Sequence, residues 1–468
     1  MTDRTTLPSA LAIVAAAALL LWPALWNGYP IVFADTGTYL SQAVHRYAGW
    51  DRPVFYSLFM LPLHGTTTLW PVVAAQALLT AWVLWLVWQV LAPRQGAIRF
   101  VLLVAALSAG TWLPWIVSEL MPDVFTPLLV LAMGLLGWAT HALSPRQRWL
   151  LTALATFCVA AQQSSLPLAL MLAPLPLARR RLLAGRSASV PASQRLRALP
   201  LLPPVLAALM LCTMNLAAHG RFAISPFGNV FLLARIIYDG PGMATLRRDC
   251  PQTHWRLCPH LDRFPATSDD FLWRPDSPLY VAGGPKRVSA DAGAIIAATL
   301  RSDPAEVAAT VLANTWTQAV QFGSGDGLQP WPSQVSPWIR QDFPPAAYAR
   351  YMAARQQAGG LSVPGWLTVL HRGTAITGVI GCAGMVLLLL RRNGRVAGGS
   401  GSDNAAPPAA LGLLLTVLLS LPLGAAITGA LSGPHDRYQS RIMWLPPFMA
   451  LVTAASVCRA PRRHAFGL

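Results

Sequence analysis

From Leu7 to Trp26 the chain carries no charged residue, and comparable apolar runs recur to its end, parted by short arginine clusters. About 20 apolar residues in a helix suffice to cross a bilayer. The first run is too long for a cleaved leader, and no small-residue cleavage site follows it. Hydrophobic residues make up 54% of the 468 positions and charged residues only 11%. A soluble protein carries about twice that charge fraction. The pattern therefore predicts an all-α polytopic membrane protein.

The net charge of +17 does not point to nucleic acid. Nucleic-acid binding needs its cations on one continuous surface. Here they fall between apolar runs, at Arg94 and Arg99, Arg146 and Arg148, Arg179 to Arg197, Arg391 to Arg395, and Arg459 to Arg463. This is the positive-inside pattern of cytoplasmic loops. Placing every cluster inside predicts about ten crossings, at 8–26, 68–91, 99–117, 124–142, 149–162, 165–178, 199–217, 373–390, 410–430 and 442–458. Both termini are then cytoplasmic, in a bacterial inner membrane. The 149–178 stretch is short for two spans, which predicts broken helices around Gln162-Gln163-Ser164-Ser165. Such backbone survives at depth only where protein or a watery cavity covers it.

Three parts follow: an N-terminal membrane module at 1–217, a mainly helical periplasmic segment at 218–366, and a C-terminal membrane module at 367–468. Gly398 to Pro408 reads as a flexible linker. The periplasmic segment holds most of the acids and two cysteines, Cys250 and Cys258, expected to form a disulfide in an oxidising compartment. Asp303-Pro304-Ala305-Glu306 reads as an N-cap, Pro and acid opening a helix to Gln321. Gly323 to Pro345 reads as loop.

Of the remaining acids, Asp35, Asp51, Glu119, Asp123 and Asp436 fall in short outward loops, and none at a span centre. Ion-coupled transporters place ionisable groups near the midplane. This chain gathers them at one face. Asp35 opens a helix with Tyr39, Leu40, Ala43, Val44 and Tyr47 on one face and Thr38, Ser41, Gln42, His45 and Arg46 on the other, an amphipathic helix in the interface. Its carboxylate reads as an N-cap or as a base. Asp51 caps a second short helix from Val54 to Leu63, and Arg52 beside it suits a phosphate or a carboxylate. Glu119 and Asp123 flank a tight hairpin, with Asp123 read as a cap for the next span. His435-Asp436-Arg437-Tyr438-Gln439-Ser440-Arg441 places two arginines outside, against the charge rule, and the arginine fork suits phosphate or lipid headgroups.

These elements together resemble the GT-C type membrane glycosyltransferases. The resemblance rests on Phe33-Ala-Asp35-Thr-Gly-Thr-Tyr39 after the first span, the two juxtamembrane helices, Ser118-Glu119-Leu-Met-Pro-Asp123, the Gln162-Gln163-Ser164-Ser165 turn and Arg437-Tyr438. It departs from the family where a paired acid is usual, since Thr36 and Gly37 follow Asp35. The resemblance implies a sugar donor carried on a polyprenyl phosphate and a lipid, glycan or protein acceptor. Asp35 becomes the general base of an inverting transfer. Arg437, with Arg441 or Arg52, holds the departing phosphate. Glu119 and Asp123 orient hydroxyls or complete a site for Mg or Mn with Asp35. Gln162, Gln163, Tyr39, His435 and Tyr438 line the substrate site. Two other readings stay open: a transporter or flippase for a lipid-linked precursor, and a non-catalytic organiser of an envelope complex.

Overall fold

The structure, a computed structural model, describes the backbone of residues 6–177, 198–397 and 408–457 and the side chains of 8–177, 198–392 and 409–457. The linker at 398–407, the last residue of each of the predicted spans 165–178 and 442–458, and the arginine clusters at 179–197 and 459–463 lie outside the described residues. Within them the chain is helical, and its only extended pairing is one bridge between Ile31 and Glu119.

The first half supplies α1 (Thr6–Leu19), α2 (Trp22–Asn27), α3 (Thr36–His45), α4 (Phe55–His64), α5 (Trp70–Leu91), α6 (Gly96–Gly110), α7 (Leu113–Ser118), α8 (Phe125–Trp138), α9 (Pro145–Ala161), α10 (Ser165–Leu172) and α11 (Leu202–His219). The middle supplies α12 (Gly228–Tyr238), α13 (Pro241–Asp249), α14 (Ser268–Trp273), α15 (Pro278–Val281), α16 (Gly284–Ser302), α17 (Pro304–Val320), α18 (Pro332–Asp342) and α19 (Pro345–Met352). The end supplies α20 (Gly365–Ala397), α21 (Pro408–Leu431), α22 (Asp436–Ser440) and α23 (Leu445–Val457).

Five helical stretches are long and apolar enough to cross a membrane: Trp70–Leu91, Leu199–His219, Gly365–Arg392, Ala409–Leu431 and Asp436–Val457. Two other predicted spans, 8–26 and 99–117, are each broken beside a proline that cannot donate to the helix ladder. Pro23 opens α2 after the α1 break, and Pro114 opens α7 after α6. The predicted break at Gln162 is present: α9 ends there in extended backbone and α10 restarts at Ser165. Ser144 and Gln147 form a reciprocal capping box at the start of α9, with Pro145 in its first turn.

The bundle shares one large apolar core that reaches from Leu20 and Phe125 through Tyr351 to Trp444. A second core, with Val230, Leu233, Phe271, Val288 and Ile295, belongs to α12–α16 alone. Cys250 and Cys258 form the expected disulfide and tie the end of α13 to the turn after it. Trp50 joins the two bodies by stacking on Phe231 at 5.2 Å.

Several local expectations change. Gly323 to Pro345 is not all loop. Pro332 opens α18, whose Val335 and Ile339 are buried one turn apart. This helix covers α3 so closely that a Cβ on Gly37 would lie 2.0 Å from the Gln334 carbonyl oxygen. For that reason α3 is not a simple interfacial helix: Ser41 and Gln42, on its predicted polar face, are buried. None of the proposed acid caps forms. Neither Asp35 nor Asp303 makes a side-chain cap, Val54 rather than Asp51 occupies the cap position of α4, and α8 starts from Val124 without a cap from Asp123. Asp303 instead accepts from Ser302 and Arg248.

Candidate functional site

Two loops far apart in sequence are fastened together before any charge is placed. The Ile31 amide donates to the Ser118 carbonyl at 3.0 Å, and the Leu120 amide donates to the Ile31 carbonyl at 2.8 Å. Thr36 then donates its hydroxyl to the Leu120 carbonyl and accepts from the Phe33 amide. From α5, buried Gln76 donates to the carbonyls of Val117 and Glu119, while its oxygen accepts from Tyr56 at 2.6 Å. On the other side Gln356 grips Val32 through both backbone groups, at 3.0 and 2.7 Å. Buried amides satisfied this fully hold a single geometry. They fix Asp35 and Glu119 as neighbours.

Onto this frame converge the charges. Arg52 Nη2 donates to Asp35 Oδ1 at 2.9 Å, and Arg437 Nη2 stands 3.8 Å from Asp35 Oδ2. Arg437 also lies over the Phe33 ring at 4.0 Å and over Tyr438 at 5.2 Å, within cation–π range. Its amide donates to Asp326 Oδ2 at 3.1 Å. Arg441 Nη1 donates to Asp123 Oδ1 at 2.9 Å, both side chains only 5% exposed. Arg52 covers Trp273 of α14, so the second body contributes a wall.

The acids titrate in opposite directions. Burial alone would raise the Asp35 carboxyl, but Arg52 and Arg437 outweigh it and hold it below the usual carboxylate range. Glu119 has no ion pair among the described residues. Burial, then the charge of Asp123, pushes its carboxyl well above that range, against the pull of Arg437. Burial likewise raises Asp51 and keeps the Tyr39 hydroxyl protonated. Two neighbouring carboxyls driven apart in this way can hold one proton and one charge at the same pH.

Most sequence-selected residues meet here. Tyr39 packs edge-on against Tyr56 at 4.9 Å and feels the charges of Arg52, Asp35 and Asp123. Gln162 accepts from Thr126 at 2.7 Å, one turn beyond Asp123. Gln163 and the exposed ring of His435 hydrogen-bond to none of these acids; His435 stacks edge-on with Tyr438 while Gln318 holds its backbone. Arg441 is buried against Asp123 and is not presented to a phosphate. Both oxygens of Asp35 face guanidinium groups, so Asp35 and Glu119 are not disposed to share a divalent cation in this arrangement.

Sequence reading missed Asp326, Gln76 and Gln356. Asp326 had a visible signal. It stands between Gly325 and Gly327, both at positive φ, in a turn that glycine favours. A Cβ on Gly327 would meet the Phe33 ring at 2.5 Å, so the turn can approach Glu119 only without a side chain there. Gln76 lies in a largely apolar helix and Gln356 between Arg355 and Gln357, and no local pattern marks either. Compared with protein-family models, with curated proteins and with solved structures, the chain finds no match.

Proposed function

We propose that the chain is a membrane glycosyltransferase that moves a sugar from a polyprenyl-phosphate donor to an envelope acceptor. One observation carries this reading: Asp35, Glu119, Asp326, Arg52 and Arg437 come from distant segments to one place, around one carboxyl drawn below the usual carboxylate range and another pushed well above it. The positive-inside pattern supports the reading that this face is periplasmic, with about ten crossings and both termini cytoplasmic.

In this scheme Arg437 and Arg52 swing from Asp35 to the donor phosphate. Their departure leaves a buried carboxylate without partners, which makes it a stronger base. The acceptor oxygen then attacks the anomeric carbon, its proton passes to Asp35, and the bond to the phosphate oxygen breaks. The arginines stabilise the phosphate that leaves. A single displacement inverts the anomeric centre. Glu119, holding a proton, donates a hydrogen bond to a sugar hydroxyl.

A second reading, a non-catalytic scaffold, is favoured by the pairing already present: Asp35 with Arg52 and Asp123 with Arg441 neutralise each other. The test supplies the purified protein with a panel of radiolabelled polyprenyl-phosphate sugars and an envelope extract. Transfer of label from any one donor supports the transferase. A full panel with no transfer, by protein that remains folded, sinks it and leaves the scaffold.

A further inference from the structure

The outward face of α17 is built the wrong way round for water. Its polar side chains point inward: Asn314 donates to Asp239 at 3.2 Å, and Gln318 grips the His435 backbone at 2.9 Å. Its apolar ones point outward. Leu312 is 70% and Trp316 71% exposed, with Ala309 and Val320 on the same stripe and Thr317 the one hydroxyl beside them. No charged residue occurs from Val307 to Val320. A helix that turns polar groups to its neighbours and apolar groups away from them expects an apolar surround.

Its neighbours say which surround. The inward face lies along α21, where a Cβ on Gly429 would come within 2.8 Å of the Asn314 carbonyl oxygen. Close backbone approach at a small residue is how membrane helices pack. Two hydrogen bonds fix the level of these segments along their neighbours. Arg372, well inside a helix that begins at Gly365, donates to the Phe322 carbonyl; Gln439 donates to the carbonyl of Leu421 in a helix that runs on to Leu431. At 1.5 Å per residue the ends of α20 and α21 rise roughly 10–15 Å past the level of Gly323 and Ser440. Those ends are themselves apolar and exposed, at Trp366, Val369 and Leu431. The stripe on α17 continues this surface.

We propose that α17 lies at hydrocarbon depth and that acyl chains of the surrounding lipid cover its stripe of Ala309, Leu312, Trp316 and Val320. The 218–366 segment is then not wholly outside; it dips into the leaflet and walls the charged cluster from lipid. This rests on the membrane reading, and not on the glycosyl-transfer chemistry.

Nitroxide labels on the full chain in phosphatidylcholine–phosphatidylglycerol nanodiscs test it. Leu312→Cys and Trp316→Cys are made with Cys158, Cys212, Cys382 and Cys458 replaced by alanine and the disulfide kept. Exposed Ile380 of α20 and exposed Lys286 of α16 serve as lipid and water references. Both α17 labels are expected to collide with oxygen several-fold more than with a water-soluble nickel chelate, matching the label at 380. A match to 286 overturns the proposal. So does protection from both reagents, which would mean a second copy or another protein on the stripe. A water-like label at 380 would overturn the membrane reading and the proposal with it.

Discussion

The Asp123–Arg441 pair offers the sharpest stability test. It joins the hairpin after α7 to the end of α22 across 2.9 Å, with both side chains 5% exposed. Asp123→Ala leaves a guanidinium buried without its counter-charge. Breaking such a pair costs about 3–5 kcal/mol. The lower end applies here, because Asp123 Oδ2 and Arg441 Nε already lack partners. An unfolding entropy of about 2.1 cal/mol/K per residue converts this to roughly 3 °C for a chain of this length. Asp123→Ala combined with Arg441→Met removes both charges and refills the space, so the double variant should recover most of the loss. Melting in detergent, followed by the folded peak on a sizing column, reads both. A single variant within about 1 °C of wild type, or a double variant no better than the single, would refute a buried pair that stabilises.

Glu119 gives a pH signature. Its raised carboxyl means that the folded chain keeps a proton the unfolded chain releases, so stability should fall as pH rises above the ordinary Glu value near 4.3. Glu119→Gln should flatten that slope and raise the melting temperature at pH 7; an unchanged slope contradicts the assignment. Gly37→Ala drives a Cβ to 2.0 Å from the Gln334 carbonyl oxygen and should cost about 1–3 kcal/mol, seen as a lower melting temperature. Cys250→Ser opens a short loop and should cost about 2–3 kcal/mol, confined to α12–α16. Limited proteolysis should then cut within 227–296 while the bundle stays intact, and wild type under reductant should behave the same way.

What the sequence disclosed follows from the range of each signal. Apolar runs and prolines act locally, so α5, α11, α20, α21 and the Gln162 break were legible. The gathering of Asp35, Glu119, Arg437 and Arg52 was legible because all four fall in short segments between apolar runs, which have few places to go. Its pairing was not. Asp35 looked like a cap because Thr36 starts a helix, yet two arginines from elsewhere claim both of its oxygens. Asp123 looked like a cap for the same reason and meets Arg441 instead. The α18 helix was hidden by Pro337 in its middle and is held by burial of Val335 and Ile339. Contacts over hundreds of residues, such as Gln356 on Val32, leave no mark in the local pattern.

In the proposed reaction Asp35 is the base that takes the acceptor proton. The measurement closest to it is the transfer rate from a competent radiolabelled polyprenyl-phosphate sugar, for wild type and Asp35→Asn, in vesicles where both melt at the same temperature. Wild type should transfer the sugar and the variant should lose at least about a hundredfold in rate, the scale of general-base catalysis. Transfer by Asp35→Asn at the wild-type rate would contradict it.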